Sequence, residues 1–276
     1  MKENAVSDPP DRLRLDLSGR KNIIGMVHLM ALPGTPFHRG ESVQTILDAA
    51  MRDRDILVEA GFDAISISND GDRPYVTSIP SEQLAVFTHI MSRLARDLKL
   101  PFGCGMLIDP KASLAAAHAV GADFIRLSFG TLVGSYGILT EAPGEILRYR
   151  RHIGADGVRL LLNLSAHFST SLDARPLAEI VKTTTWLVEP DAIQVHGAGA
   201  GIPPSMDEVK AVRAVAADTP IIVASGVDQS SVGDVLALAD GVIVGTSLKH
   251  DRKIWNPIDP VRAKAFMARA RDSRGY

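Results

Sequence analysis

The sequence predicts a single (β/α)8 barrel, on three observations. Eight short apolar runs alternate with stretches of helical periodicity, four of the runs are each preceded by an Asp, and no linker or shift of composition divides the chain. An open, doubly wound sheet with that many strands would be unusually large for 276 residues.

The elements follow in order. "NIIGMVH" from Asn22, "FGCGMLI" from Phe102, "RLLLNL" from Arg159 and "IIVASGV" from Ile221 are continuous apolar runs, as a parallel strand buried on both faces requires. Between them stand "GFDAISI" from Gly61, "GADFIRL" from Gly121, "EPDAIQV" from Glu189 and "LADGVIV" from Leu238. Each of these four follows a helix-like pattern, for example Val43, Ile46, Leu47, Ala50 and Leu57 ahead of Gly61, so a helix ends, turns and enters a buried strand. Ser205 and Glu208 make a capping box, and Asp259-Pro260 sets an N-cap before a first-turn proline. "TLVGSYGILTEAPGE" from Thr131 and "STSLDARP" from Ser169 read as long loops, suited to lids or oligomer contacts. Residues 1–20, rich in Pro, Asp and Arg, read as a flexible leader, which leaves 21–276 for the barrel.

Composition narrows the function. A formal net charge of −2 supplies no basic field for nucleic acid or an anionic membrane, and no apolar run approaches a membrane span. Cys104 is the one cysteine, so no intramolecular disulfide forms, and the first residues lack the apolar core of a secretory signal. A cytoplasmic protein is expected, with no cofactor beyond an optional divalent metal. A homo-oligomer is expected, since barrels often assemble through apolar outer faces.

In such barrels chemistry sits at the C-terminal strand ends, and phosphate commonly binds between the loops after strands seven and eight. Those loops contain Ser225-Gly226-Val227 and Gly245-Thr246-Ser247, small residues that offer backbone N–H groups and hydroxyls to a phosphate. The structural alternative is that the glycines only permit tight turns. His28 ends the first strand, His196 the sixth, and His167 follows the fifth, so three imidazoles are expected to converge as acid/base groups or metal ligands. Asp70 and Asp72 flank a glycine after the second strand, as a carboxylate pair or an ordinary Asx turn. Asp109 before Pro110 is a catalytic carboxylate or, better, an N-cap; Asn163 points out of strand five as a neutral ligand-binding amide. Lys249 could reach a phosphate or belong to a solvated charged run. His89 and His118 fall on helices, and no lysine ends a strand, which disfavours a Schiff-base mechanism.

These segments, from "IIGMVHLMALPGTP" through "GAGAGIPPSMDEVK" to "SGVDQSSVGDVLALADGVIVGTSLKHD" and "NPIDPVRAKAF", make the chain resemble the BtpA/SgcQ family. The resemblance implies a phosphate-binding barrel of the ribulose-phosphate-binding type, linked to photosystem I biogenesis in photosynthetic bacteria and found elsewhere among sugar-utilisation genes. The chain departs from the family pattern at Ser68, at Leu107-Ile108-Asp109, and at Asn163 to His167. Three functions therefore compete. One is an isomerase, epimerase or lyase of a small phosphorylated metabolite such as a sugar phosphate. The second is a non-catalytic assembly or regulatory factor. The third is a phosphohydrolase with a metal on Asp70, Asp72, Asp109 and the histidines.

Overall fold

The computed structural model describes residues 13–164, 168–197, 199 and 201–274. In chain order its elements are β1 (Asn22–His28), α1 (Val43–Ala60), β2 (Ala64–Ser68), α2 (Ser81–Leu94), β3 (Phe102–Gly105), α3 (Pro110–Val120), β4 (Phe124–Ser128), β5 (Gly130–Gly134) and β6 (Gly137–Glu141). Then come α4 (Pro143–His152), β7 (Arg159–Asn163), β8 (Ser169–Ser171), α5 (Leu177–Val188), β9 (Ala192–Val195), α6 (Met206–Arg213), β10 (Ile221–Ala224), α7 (Val232–Leu238), β11 (Gly241–Val244) and α8 (Pro260–Ser273). Eight strands close a parallel barrel in the order β1-β2-β3-β4-β7-β9-β10-β11, with β11 paired back to β1.

The helix boundaries follow the chemistry of their ends. Gly61 and Gly121 terminate α1 and α3 at φ 85° and 65°, left-handed values that favour glycine. The capping box at Ser205 and Glu208 forms in both directions, and Asp259 accepts from the N–H groups of Val261 and Arg262.

Inside each strand the side chains alternate. Ile23, Val27, Ile65 and Ile67 point outward to the helices, while Ile24, Met26, Ala64, Phe124, Leu161, Ala192, Ile222 and Ile243 fill the barrel. Phe124 occupies the space that Gly103 vacates, since a Cβ there would stand 2.3 Å from the ring. Leu15 is 1% exposed and packs beneath this interior with Leu17, so part of the stretch expected as leader closes the barrel floor. Residues 1–12 of that stretch lie outside the described residues.

The four Asp residues that precede apolar runs share one task. Asp63, Asp123, Asp191 and Asp240 each accept an N–H from the first or second residue of the preceding barrel strand: Ile23 at 2.8 Å, Phe102 at 3.2 Å, Leu160 at 2.8 Å and Ile221 at 2.8 Å. Each Asp backbone N–H donates in return to the carbonyl of that same residue, at 2.7 to 3.1 Å. Arginines neutralise three of the carboxylates: Arg20 and Arg274 at Asp63, Arg14 at Asp123 and Arg213 at Asp240.

The two segments expected as loops differ from that reading. β5, β6 and β8 form an antiparallel sheet above the ends of β4 and β7, with a two-residue turn at Ser135-Tyr136. Leu132 and Leu139 face down into the protein, and Ile138 faces out.

Replacing Asp123 with Ala strands the Phe102 N–H in the barrel floor, at an expected cost of about 1–3 kcal/mol. Urea denaturation measures this, and Asp123→Asn, which keeps one acceptor oxygen, is expected to recover part of it.

Candidate functional site

The C-terminal strand ends enclose a cavity of about 700 Å³. His28, Asp70, Asn163 and His196 line it together with Ser225, Gly226, Val227, Gly245, Thr246 and Ser247, so the structure brings these ten expected site residues to one space. Asp109 is not among them. Its carboxylate caps α3 at the N–H of Ala112 and takes the N–H of Ile79, both at 2.9 Å, and it does not line the cavity. The cap that Pro110 favours uses one oxygen, and the Ile79 contact engages the other.

The two expected cradles sit side by side above β10 and β11. Among the described residues, the N–H groups of Gly226, Val227, Thr246 and Ser247 donate to no backbone acceptor. Each glycine also answers a neighbour. Gly226 adopts φ 67° and lies against the backbone of Ile202 and Pro203, where a Cβ would come within 2.1 Å. A Cβ on Gly245 would stand 2.5 Å from Cε1 of His28, so the glycine makes room for the imidazole. The hydroxyls are less available than the sequence implies. Ser225 Oγ donates to Ile202 O at 2.8 Å, and Ser247 Oγ donates to Val227 O at 2.8 Å, tying the two turns together.

Lys249 fits neither alternative read from the sequence, a cation reaching the phosphate or part of a solvated run. Lys249 is buried, with Nζ 2.5 Å from Asp53 of α1, whose second oxygen takes the N–H of Ile258. The pair forms part of a second cavity of about 430 Å³ behind His28 and Arg73. Arg252 lines the main cavity instead, and pairs with Asp228 at 3.4 Å.

Burial keeps His28 below its ordinary pKa of 6.5, against the opposing pull of Asp70. Its Nδ1 is enclosed without a partner among the described residues, as is Oδ1 of Asn163. Asp70 accepts from the hydroxyl of Ser68. His196 Nδ1 lies 3.0 Å from the carbonyl of Gly197, an acceptor only, so that nitrogen carries the proton. His167 lies outside the described residues.

Asp72 parts from Asp70. It accepts from Leu32 N at 2.8 Å and from the Asn69 amide at 3.0 Å, while Asn69 takes the N–H of Leu107, so the loops after β1, β2 and β3 lock together. Burial raises the Asp72 pKa. Asp72 and Asp109 are already hydrogen-bonded through both oxygens, and no group of three or more His, Cys, Asp or Glu residues gathers for a metal among the described residues. Cys104 is enclosed, its thiol pushed up to about 12, which removes it as a nucleophile.

Sequence reasoning missed the floor and the rim. Arg126 projects from β4 into the cavity, with Nε 2.8 Å from Oε1 of Gln194, whose amide is anchored by Leu161 O. Burial lowers the Arg126 pKa. The signal was its position in "DFIRLS": counting by two from Phe124 turns Arg126 inward. At the rim, the Arg73 guanidinium stands 4.5 Å from the Phe37 ring and 4.3 Å from that of Trp255.

A model of the BtpA family matches residues 19–272. The sgc region protein SgcQ of Escherichia coli is 34% identical over 256 residues, which cover 92% of this chain and 96% of SgcQ. The photosystem I biogenesis protein BtpA of Synechocystis is 31% identical over 249 residues, covering 89% of this chain and 86% of BtpA. Among solved structures, N-(5'-phosphoribosyl)anthranilate isomerase from Pyrococcus furiosus aligns over 92% of this chain and 100% of its own, with a TM-score of 0.55 at 15% identity. A structure described as native KDPGal aligns over 95% and 98%, with a TM-score of 0.56 at 16% identity. Those structural likenesses carry the fold. A closed eight-stranded barrel with a cavity of mixed polar and apolar lining over its C-terminal strand ends defines a TIM-barrel protein with room for a small molecule. Within that class, the chain belongs to the BtpA family. Among the described residues, no helix is long and apolar enough to cross a membrane.

Two outcomes follow from the buried charges. Because the folded His28 pKa lies below 6.5, the unfolded chain binds the extra proton first as pH falls, so this group's neutral burial costs nothing well above pH 6.5 and destabilises the fold below it. Relative to His28→Gln, the wild type is expected to lose stability between about pH 7.5 and 5.5, by at most about 1.4 kcal/mol per pH unit, read by urea titration. Lys249→Ala leaves Asp53 buried alone and is expected to cost about 3–5 kcal/mol. The double variant Asp53→Leu/Lys249→Met, measured in the same titration, is expected to lie much closer to wild type.

Proposed function

We propose that this protein is an enzyme acting on a small phosphorylated metabolite, a sugar phosphate or close analogue, by proton transfer of the isomerase, epimerase or lyase type. One observation carries the reading: two amide-presenting turns and the groups able to move a proton line the same cavity. The phosphate rests on the N–H groups of Gly226, Val227, Thr246 and Ser247, with the Thr246 hydroxyl as a further donor. Those four N–H groups lack backbone partners among the described residues.

His28 is the base. Desolvation keeps its imidazole neutral, the form that accepts a proton from carbon beside a carbonyl, and Asp70 steadies the imidazolium that forms. His196 lines the same cavity with its Nδ1–H held by the Gly197 carbonyl, so only in its imidazolium form would the ring return a proton to the substrate. Asn163 offers an amide to a substrate hydroxyl. The fold neighbour named as an isomerase of a phosphoribosyl compound supports the class of chemistry by analogy.

A non-catalytic assembly role, suggested by the name of the Synechocystis relative, is the second reading. Trp186 and Leu187, 80% and 65% exposed at the end of α5, favour it as an apolar surface for a partner.

Calorimetry with a panel of sugar phosphates, joined to proton NMR of the same compounds in deuterated water, tests the proposal. Thr246→Asp places a like charge beside the anion without crowding His28, as Gly245→Asp would, and is expected to weaken phosphate-ester binding at least about tenfold. Carbon-bound proton exchange is expected in the wild type and absent in His28→Gln. Unchanged affinity in a folded Thr246→Asp protein would sink the phosphate assignment, and binding without exchange would favour the assembly reading.

A further inference from the structure

The floor of the main cavity holds a charge that the proton-transfer reading does not use. Arg126 leaves the barrel wall at β4, which stands fourth in the ring of eight strands, opposite β11. Its side chain crosses the interior: Nε meets Gln194 of β9 at 2.8 Å, and Nη1 lies 3.4 Å from Sδ of Met26 on β1. The guanidinium therefore lies near the barrel axis, beneath the rim turns that follow β10 and β11. No carboxylate forms an ion pair with it among the described residues, and Asp70 acts on it only through its field.

A guanidinium carries five donors in a planar fork. Here a neutral amide takes one and a thioether sulfur, a weak acceptor, faces another. Gln194 is itself fixed, since its Nε2 donates to Leu161 O at 2.5 Å, and its oxygen is thereby aimed at Nε of the arginine. That bond orients the fork and leaves the Nη edge toward the cavity. Met26 and Ile243, both buried, border the same floor and limit its water. Enclosing a full charge among such groups is costly unless an anion completes it.

We propose that Arg126 binds a second anionic group on the ligand, a carboxylate, so that the substrate is a phosphorylated acid held between the amide turns at the rim and this guanidinium at the floor. The phosphate half rests on the function proposed above; the carboxylate half rests on Arg126 and Gln194. A planar monoanion matches the fork two bonds to two, and one arginine balances its charge. A second phosphate dianion would demand more positive charge than the floor supplies. His28 ends β1 beside Gly245, two residues along the strand from Met26, whose sulfur borders Arg126, so in this proposal it meets the carbon chain rather than either anionic end.

Calorimetry on matched probes tests this: phosphoglycerate against glycerol phosphate, and phosphogluconate against glucitol phosphate, each pair differing by a carboxylate in place of a hydroxymethyl group. Glycerate and gluconate serve as carboxylates without phosphate. In the wild type, at least one carboxylate member is expected to bind about tenfold or more tightly than its partner. In Arg126→Gln that preference is expected to vanish while the hydroxymethyl member keeps its affinity; Arg126→Lys, which retains charge without the fork, is expected to fall between. Thermal melts establish that each variant is folded, and the wild-type comparison stands even if neither variant folds. Equal binding of both members by the wild type, failure of every carboxylate probe to bind, or a preference that survives in folded Arg126→Gln overturns the proposal. Phosphate esters bound without regard to the carboxylate would leave the phosphate reading intact while removing this one. Gluconate bound as tightly as phosphogluconate, with dependence on Arg126, would do the reverse.

Discussion

The barrel depends on a paired hydrogen bond repeated four times at its lower rim. Asp63, Asp123, Asp191 and Asp240 each join two neighbouring strands by a carboxylate that accepts and a backbone N–H that donates to the same residue. Strand starts are where backbone donors lack ladder partners, and a buried N–H left unmet costs as much as a lost hydrogen bond. Supplying that acceptor from the residue just ahead of the next strand fixes how far each strand slides past its neighbour. It also spends the polar groups at the bottom on structure, so the top is left to differ.

At the top, the governing effect is desolvation. Enclosure keeps His28 neutral and makes the charge on Arg126 expensive, while the pair between Asp53 and Lys249 is satisfied within itself. The difference separates residues with chemistry left to do from residues already occupied. Asp72 and Asp109 belong to the second kind: their carboxylates hold the loops after β1, β2 and β3 by accepting backbone N–H groups.

The barrel was legible in the sequence because each barrel strand is a short apolar run and several helices carry their own stop or start, such as Gly61, Gly121 and the box at Ser205. The repeated Asp was visible as punctuation, but its partner lies 19 to 40 residues away, so its purpose emerges only when the strands are side by side. Asp109 shows the converse: the cap was readable from Pro110, and only the Ile79 contact shows that no oxygen remains. Arg126 escaped because a run buried on both faces hides which residues point inward. Leu15 escaped although Leu13, Leu15 and Leu17 alternate with Arg14 and Asp16, because three alternating residues beside a Pro- and Asp-rich stretch are too short a run to outweigh its polar composition, yet Leu15 fills the barrel floor. The sheet of β5, β6 and β8 was hidden for a related reason, since β8 pairs with a strand more than thirty residues away and neither segment is apolar enough to announce itself.

That small sheet ties the length of one loop to the length of another. Leu132 is buried, paired across to Leu139 on one side and Ser171 on the other, and the side chains of a strand alternate by twos. Inserting or deleting one residue within β8 would turn that strand's own alternate side chains over, exchanging the half-buried Ser171 for the exposed Thr170 opposite Leu132. The loops after β4 and β7 are thus expected to evolve as a unit, gaining or losing residues at the Ser135-Tyr136 tip or beyond Ser171, and a homologue with a different tip would reshape the cavity mouth while the sheet beneath keeps its register.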